Sequence, residues 1–174
     1  SGDDTNVAGL AFNDDGTKMF IVGNTGNAIL QYSLDFPYEI GGAVTLEGSF
    51  DVSSYDITPT DVIFNPSGNK MYVVGLSSNS IHQFSLSTPY DVTSGVTYDD
   101  TPFSTPSYSH SITFNNDGTR LYIFGGISSG SGVNQYELNT PYDITAGLTF
   151  VTKFTIGSLE SNPRGMAFSD NGFN

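Results

Sequence analysis

The sequence contains no cysteine and no tryptophan, and it has only five Lys and Arg residues against 18 Asp and Glu residues in 174. The absence of cysteine excludes a disulfide framework and thiolate metal sites. A formal net charge of −13 repels phosphate backbones and anionic lipid headgroups, and five cations are too few for a basic patch. We therefore expect neither nucleic acid nor a membrane surface among the partners.

Long apolar runs are also missing. No stretch approaches the roughly 20 apolar residues of a membrane-spanning helix, and Ser1 to Asp4 lack the basic and apolar regions of a signal peptide. We expect no signal peptide in this chain. Hydrophobic residues nevertheless make up 37% of the chain and aromatic residues 13%, beside 20 glycines. This mixture is typical of a folded, turn-rich protein and not of a disordered one.

An internal repeat of about 50 residues organises the chain. A segment of the type Phe-Asn-Asp-Asp-Gly-Thr-Lys-Met-Phe begins at Phe12, Phe64 and Phe114, and a fourth copy begins at Phe168. A glutamine and a Pro-Tyr pair recur in the same register, at Gln31, Gln83 and Gln135 and at Pro37-Tyr38, Pro89-Tyr90 and Pro141-Tyr142. The repeat is therefore the unit of structure.

Each unit predicts four short strands, because its apolar residues alternate or form short runs that Gly, Pro, Asn or Asp interrupt. In the first unit these lie at about Gly9 to Phe12, Lys18 to Val22, Ala28 to Leu34 and Val44 to Val52. In the second they lie at Val62 to Phe64, Lys70 to Val74, Ser80 to Leu86 and Val96 to Phe103. In the third they lie at Ile112 to Phe114, Arg120 to Phe124, Val133 to Leu138 and Leu148 to Ile156. Pro102 places the fourth strand at an edge.

Four-stranded units of this length in series predict an all-β fold, a β-propeller of four-stranded antiparallel blades. We expect three complete blades plus the first strand of a fourth, within one repeat domain over residues 1–174. The blades are placed at about residues 7–54, 58–105 and 108–158, with a partial blade at 162–174. An open β-solenoid or a pair of sandwiches is the competing architecture.

The repeated segment, from Phe12 through the Asp-Gly turn to Gly23, resembles the signature of the YVTN and lactonase-like β-propeller superfamily. With Gln-Tyr-Ser-Leu and Thr-Pro-Tyr-Asp-Val added, the pattern also resembles repeat proteins predicted from marine bacterial and phage sequences. The resemblance covers nearly all of residues 7–174. It implies the fold and no particular activity, because that superfamily includes enzymes, binding scaffolds and structural proteins.

Three blades do not close a ring, since closed propellers have roughly four to eight blades. Either the chain is a piece of a longer protein, or copies associate so that two chains supply six blades. Unpaired blade faces are apolar, which favours self-association. The segment Gly165 to Phe168 matches Gly9 to Phe12, so we expect it to act as a clasp between chains or to begin a truncated blade.

Motifs that carry known chemistry are scarce. The Asp-Gly segments are turn formers and lack the alternating ligands of a calcium loop. Lys18, Lys70 and Arg120 share one repeat position and are expected to pair with turn carboxylates or to keep an edge polar, and the Pro-Tyr loops are expected to pack on an adjacent blade. No nucleophile elbow or two-histidine metal spacing is present. We therefore assign no catalytic residue, metal or cofactor.

Binding residues are better sought where the repeats differ. Four residues before each repeated Phe, at the entry to the first strand of the unit, the chain has Ala8, Thr60, His110 and Arg164. In a propeller the first strands line the channel, so this position lies at one rim. Asp61 follows Thr60 where other units have Gly or Ser. The predicted ligand-binding set is Thr60, Asp61, His110 and Arg164.

These observations favour a non-catalytic scaffold or recognition module of an extracellular or virion-surface protein. The ligand we expect is a carbohydrate or a protein surface, because the net charge repels anions. The alternative is a lactonase-like, metal-dependent hydrolase with its site at the channel mouth.

Overall fold

The computed structural model describes residues 6–99, 101–126, 130–159 and 164–168, and within them the chain forms thirteen β-strands and no α-helix. The strands are β1 Val7–Phe12, β2 Lys18–Gly23, β3 Ala28–Phe36, β4 Glu39–Asp51, β5 Pro59–Phe64, β6 Lys70–Gly75, β7 Ser80–Leu86, β8 Val96–Tyr98, β9 Phe103–Ser104, β10 Ser109–Phe114, β11 Arg120–Gly125, β12 Gly132–Thr140 and β13 Asp143–Thr155. The predicted all-β architecture is confirmed. No helix in this part of the chain is long and apolar enough to cross a membrane.

The strands form three antiparallel sheets, one for each repeat. Blade 1 has the order β1-β2-β3-β4, blade 2 the order β5-β6-β7-β8 with β9 also paired to β7, and blade 3 the order β10-β11-β12-β13. The first strand of blade 2, β5, contacts both β1 and β10. The first strands therefore lie side by side, as the inner strands of a propeller do, and the fourth strands lie outermost.

The turn between the first and second strands explains why the repeated segment has its sequence. Gly16 takes a φ of 70°, in the left-handed region that glycine enters at little cost. Asn13 accepts a hydrogen bond from the backbone N–H of Lys18 at 2.8 Å, and Asp15 accepts one from the backbone N–H of Thr17 at 3.0 Å. The same pattern recurs around Gly118. The Asp-Gly segments are turns, as predicted.

The fourth strand of blades 1 and 3 begins five residues earlier than expected, at Glu39 and Asp143. Pro37 and Tyr38 form the tip of a tight hairpin in which Phe36 pairs with Glu39. Tyr38 has a φ of 60°, its ring covers Gly16, and its hydroxyl donates to the carbonyl of Asp14 at 2.7 Å. Each ring covers the turn glycine of its own blade. The loops that carry Tyr90 and Tyr142 nevertheless pack on the preceding blade, as expected, because Gln31 accepts the N–H of Val92 and the Tyr142 carbonyl accepts a hydrogen bond from the Tyr72 hydroxyl.

The fourth strand of blade 2 is divided into two short strands. The predicted strand from Val96 to Phe103 is present only as β8 and β9. Pro102 lacks an N–H and cannot donate to a ladder. Asp99, which follows β8, accepts a hydrogen bond from Gln83 at 2.7 Å and pairs with Lys70 at 3.2 Å.

The expected first strand of a fourth blade, at Gly165 to Phe168, is described but does not form a strand. In the complete blades the first strand pairs within the sheet only with the second strand of its own blade. Residues 169–174, which follow this segment, lie outside the described residues, as do 160–163. Phe168 still packs on Tyr122, with ring centroids 4.7 Å apart.

The core consists of two apolar layers between the blades. The layer between blades 1 and 2 contains Phe20 and Phe84, and the layer between blades 2 and 3 contains Tyr72 and Leu121; all four are fully buried. Both faces of blade 2 are therefore covered, which explains why its second strand, β6, is buried on both sides. Each layer ends at the inner strands, where the candidate site lies.

Candidate functional site

A β-bulge interrupts the pairing near the start of every inner strand. The register shifts between Val7 and Gly9, between Pro59 and Asp61, and between Ser109 and Ser111. The residues that the shifts skip are Ala8, Thr60 and His110, which occupy the repeat position that varies. Because a bulge redirects the side chain of the extra residue, this position leaves the regular pleat in each blade.

All four predicted ligand-binding residues line one cleft of about 370 Å³. Thr60 and Asp61 come from blade 2, His110 from blade 3 and Arg164 from the segment that follows blade 3. Residues 8–10 of blade 1 also line the cleft. The structure therefore brings the predicted set together, although its members lie up to about 100 residues apart in the sequence.

Asp61 is the central carboxylate of the cleft and joins two blades. It accepts hydrogen bonds from the backbone N–H groups of Val62 at 3.0 Å and Ile112 at 3.1 Å, and from the Ser111 hydroxyl. Burial raises the pKa of Asp61 from 3.8 to about 6, since desolvation disfavours the charged form and outweighs these hydrogen bonds. The carboxylate holds β5 against β10 and presents its edge to the cleft.

Replacing Asp61 by asparagine is expected to change how stability depends on pH. A carboxyl whose pKa is raised on folding contributes most below its unfolded value of 3.8, and this contribution decreases as the pH rises towards about 6. The free energy of unfolding of the native chain, relative to Asp61→Asn, should fall by about 2 kcal/mol between pH 4 and pH 7. Urea unfolding at the two pH values measures this difference.

Asp51→Asn is a control of opposite sign. Hydrogen bonds from Ser53 lower the pKa of Asp51, so its ionised form stabilises the folded state. The unfolding free energy of the native chain relative to Asp51→Asn should rise with pH. If Asp61→Asn showed the same pH dependence as the native chain, Asp61 would not have the raised pKa.

His110 and Arg164 supply the donors of the cleft. His110 is 6% exposed, and burial, with a smaller effect from the Arg164 charge, lowers its pKa. The imidazole is therefore neutral at pH 7 and has one donor and one acceptor. Thr60 is 8% exposed, and its hydroxyl donates to the carbonyl of Val74 at 3.3 Å or of Ser109 at 3.4 Å. Arg164 is exposed and carries the only formal positive charge among the residues described around the cleft.

Other polar groups of interest lie away from the cleft. His82 bonds through its two ring nitrogens to the Ser78 hydroxyl at 3.1 Å and the Tyr98 hydroxyl at 3.2 Å, and Asp56 binds the same serine loop. Lys18 and Lys70 pair with Glu47 and Asp99 beside the outer strands, so their partners are not the predicted turn carboxylates. No group of three metal-ligating side chains occurs among the described residues.

The repeated glutamine has a role that the sequence alone did not reveal. Gln31 accepts a hydrogen bond from the backbone N–H of Val92 at 2.7 Å, and Gln83 accepts one from that of Ile144 at 2.9 Å. Each bond joins one blade to the next. The recurrence of Gln in one register was the available signal, but the partner residue lies 61 positions further along the chain.

Solved structures similar to this chain identify its class. It matches a functionally unknown protein from Desulfotomaculum acetoxidans with a TM-score of 0.62 and 22% identity, over 89% of this chain and 44% of that one. It matches a putative 6-phosphogluconolactonase from Bacteroides uniformis with a TM-score of 0.68 and 17% identity, over 99% of this chain and 50% of that one. It matches a periplasmic gluconolactonase from Pseudomonas aeruginosa with a TM-score of 0.60 and 17% identity, over 95% and 45%.

These likenesses, together with the three antiparallel sheets arranged around their first strands, define the chain as part of a β-propeller. Lactonase-like propellers are among its structural neighbours, in keeping with the resemblance seen in the repeated segment. The chain spans about half the length of these solved structures. No family model and no curated protein matches it.

Proposed function

We propose that this chain is the recognition part of a β-propeller that binds a carbohydrate in the cleft formed by Thr60, Asp61, His110 and Arg164. The observation that carries the proposal is the bulge at one repeat position in all three inner strands, with a different side chain at each. The regular repeat thus supplies a rigid frame, and the residues that vary between repeats are gathered in one place.

The chemistry of the cleft suits a polyhydroxylated ligand. A volume of about 370 Å³ lies within the range of roughly 300–1,000 Å³ that small-molecule sites occupy. Neutral His110 both donates and accepts, Arg164 donates, and the edge of the Asp61 carboxylate accepts, which matches hydroxyl groups that do both. A net charge of −13 disfavours anionic ligands at long range. The acidic, cysteine-free composition supports placement in an extracellular or virion-surface protein.

Replacing Arg164 or His110 by alanine is expected to weaken carbohydrate binding at least about tenfold, the effect of losing one or two ligand hydrogen bonds. A glycan array with the labelled chain identifies the sugar, and calorimetry then gives the dissociation constants. Arg120→Ala is the matched control, because Arg120 is an exposed arginine on β11 outside the cleft.

Three results would contradict the proposal. The first is that no glycan binds; the second is that Arg164→Ala binds as tightly as the native chain. Binding to an immobilised protein without glycans, lost on Arg164→Ala, would also replace the carbohydrate with a protein surface as the ligand.

A second candidate function is lactone hydrolysis, favoured by the structural likeness to a putative 6-phosphogluconolactonase and to a periplasmic gluconolactonase. In this reaction His110 would take a proton from water, and the resulting hydroxide would add to the lactone carbonyl. The ring C–O bond would then break as the ring oxygen takes the proton from His110, which gives a hydroxyl and a carboxylic acid that releases its proton to the buffer. The test is to measure the rate of gluconolactone hydrolysis, with and without divalent cations, from the base needed to neutralise the acid that is released. A rate equal to the uncatalysed rate in both cases would exclude this candidate.

A further inference from the structure

A second cavity lies along the inner strands, beyond the cleft that holds Asp61. This far cavity has a volume of about 310 Å³ and lies at the opposite ends of β5 and β10, next to the turns that follow them. Ile63 and Thr113 line both the cleft and the far cavity. The two therefore meet along the inner strands, and together they follow these strands from one rim to the other.

The far cavity has aromatic and amide groups where the cleft has charged ones. Its main lining groups are the phenylalanines that end the inner strands and three residues of blades 2 and 3 beside them, namely Phe12, Phe64, Phe114, Pro66, Asn116 and Tyr142. Among the described residues, none that lines the far cavity is Asp, Glu, Lys, Arg or His. Aromatic rings with a few amide groups suit an uncharged ligand that has both C–H faces and hydroxyl groups.

Backbone groups form the wall that connects the cleft with the far cavity. Asn65 donates its backbone N–H to the carbonyl of Lys70 at 3.1 Å, and hydrogen-bonded pairs alternate with non-bonded pairs along an antiparallel ladder. Phe64 and Val62 therefore direct their N–H and C=O groups away from β6, towards the propeller axis. Blade 3 has the same pattern, with Asn115 in the place of Asn65. Each inner strand thus offers polar backbone groups at steps of about 7 Å.

Asp61 determines which kind of extended ligand this wall accepts. A peptide strand that paired with β5 or β10 would need the backbone N–H groups that face the axis. Asp61 already accepts those of Val62 and Ile112, at 3.0 and 3.1 Å. The carbonyl oxygens at the same level still face the axis, and hydroxyl groups are suitable donors to them. The wall therefore favours a polyhydroxylated chain over a peptide.

We propose that the ligand is a linear oligosaccharide that lies along β5 and β10 and occupies both the cleft and the far cavity. This inference rests on the carbohydrate function proposed for the cleft and adds the length of the ligand. One sugar unit contacts His110 and Arg164 in the cleft, and a later unit packs on the aromatic rings beside Asn116. A strand of six residues spans about 20 Å, which is longer than one sugar ring. Only a chain of several units reaches from the cleft to the far cavity.

Asn116 is the residue whose substitution tests the far cavity. It is exposed and stands two positions after the repeated Phe, where blade 1 has Asp14 and blade 2 has Pro66. The same turn therefore forms with different side chains at this position. Its backbone carbonyl accepts the Tyr142 hydroxyl at 2.6 Å, a bond that does not involve the side chain. Asn116→Ala should thus remove a ligand contact and leave the turn intact.

Calorimetry on the full chain tests the proposal with malto-, cello-, xylo- and chito-oligosaccharides, each from the single sugar to the six-unit chain. In the series that binds, the dissociation constant is expected to fall at least about tenfold from the single sugar to the longest chain, the effect of one or two further hydrogen bonds. Asn116→Ala should raise the constant of the six-unit chain about fivefold and leave that of the single sugar unchanged. Arg120→Ala is the matched control and should change neither constant, because Arg120 is on β11 outside the cleft and the far cavity.

The oligosaccharide inference and the carbohydrate function fail in different ways. Equal affinity for single sugars and long chains would overturn the inference and leave the carbohydrate function standing. The same holds if Asn116→Ala weakens every chain length by the same factor, or if it leaves the gain with length unchanged, because the far cavity would then not be the source of that gain. If no member of the four series binds, the inference is overturned, and the glycan array decides separately on the cleft.

Discussion

Phe84→Ala is expected to lower the free energy of unfolding by about 4 kcal/mol, the usual cost of removing a large aromatic side chain from a core that cannot collapse around the cavity. Phe84 is fully buried in the layer between blades 1 and 2. Its ring contacts Phe50 at 5.4 Å, Tyr55 at 5.0 Å and Tyr98 at 5.3 Å between centroids. The surrounding strands are held by their own ladders, so the cavity stays open.

Phe36→Ala makes the same substitution at the end of β3, where the side chain is 58% exposed. Its cost should stay below about 1 kcal/mol, because the exposed Phe36 side chain buries little apolar surface on folding. Urea unfolding followed by tyrosine fluorescence compares both variants with the native chain. Equal costs for the two variants would show that the layer between blades 1 and 2 is not a packed core.

The strands were predictable to the extent that local signals define them. Lys18 begins β2 and Ala28 begins β3 as expected, because a turn glycine and an alternating pattern are properties of neighbouring residues. The start of β4 was not predictable in this way. Tyr38 takes a φ of 60°, a conformation that its residue type disfavours. It is supported by the ring's contact with Gly16 and by the hydroxyl bond to Asp14, which no pattern in the sequence reveals.

The candidate site was predictable for a different reason. In a repeat protein the frame is the same in every unit, so Thr60 and His110 are recognisable as departures at one position. The bulge that redirects them depends on strand pairing and is not encoded by residue type. The burial of Asp61 and its bonds to the following blade likewise arise only when blades 2 and 3 meet.

Gln83→Leu is expected to lower the free energy of unfolding by about 3 kcal/mol. The side chain is 1% exposed, and it accepts the backbone N–H of Ile144 at 2.9 Å while donating to Asp99 at 2.7 Å. Leucine fills nearly the same volume but leaves the Ile144 N–H buried and unpaired, which costs about 1–3 kcal/mol, and it removes a charge-assisted bond to Asp99. Urea unfolding of the two proteins measures the difference.

The repeat supplies its own controls for this change. Gln31→Leu should cost as much as Gln83→Leu, because Gln31 accepts from Val92 at 2.7 Å and donates to Glu47 at 2.7 Å. Gln135→Leu should cost less than about 0.5 kcal/mol, since the Gln135 side chain is only partly buried and has no hydrogen bond within the described residues. An equal loss in all three variants would mean that the glutamine stabilises its own sheet. A loss confined to Gln31→Leu and Gln83→Leu would show that it stabilises the joint between blades.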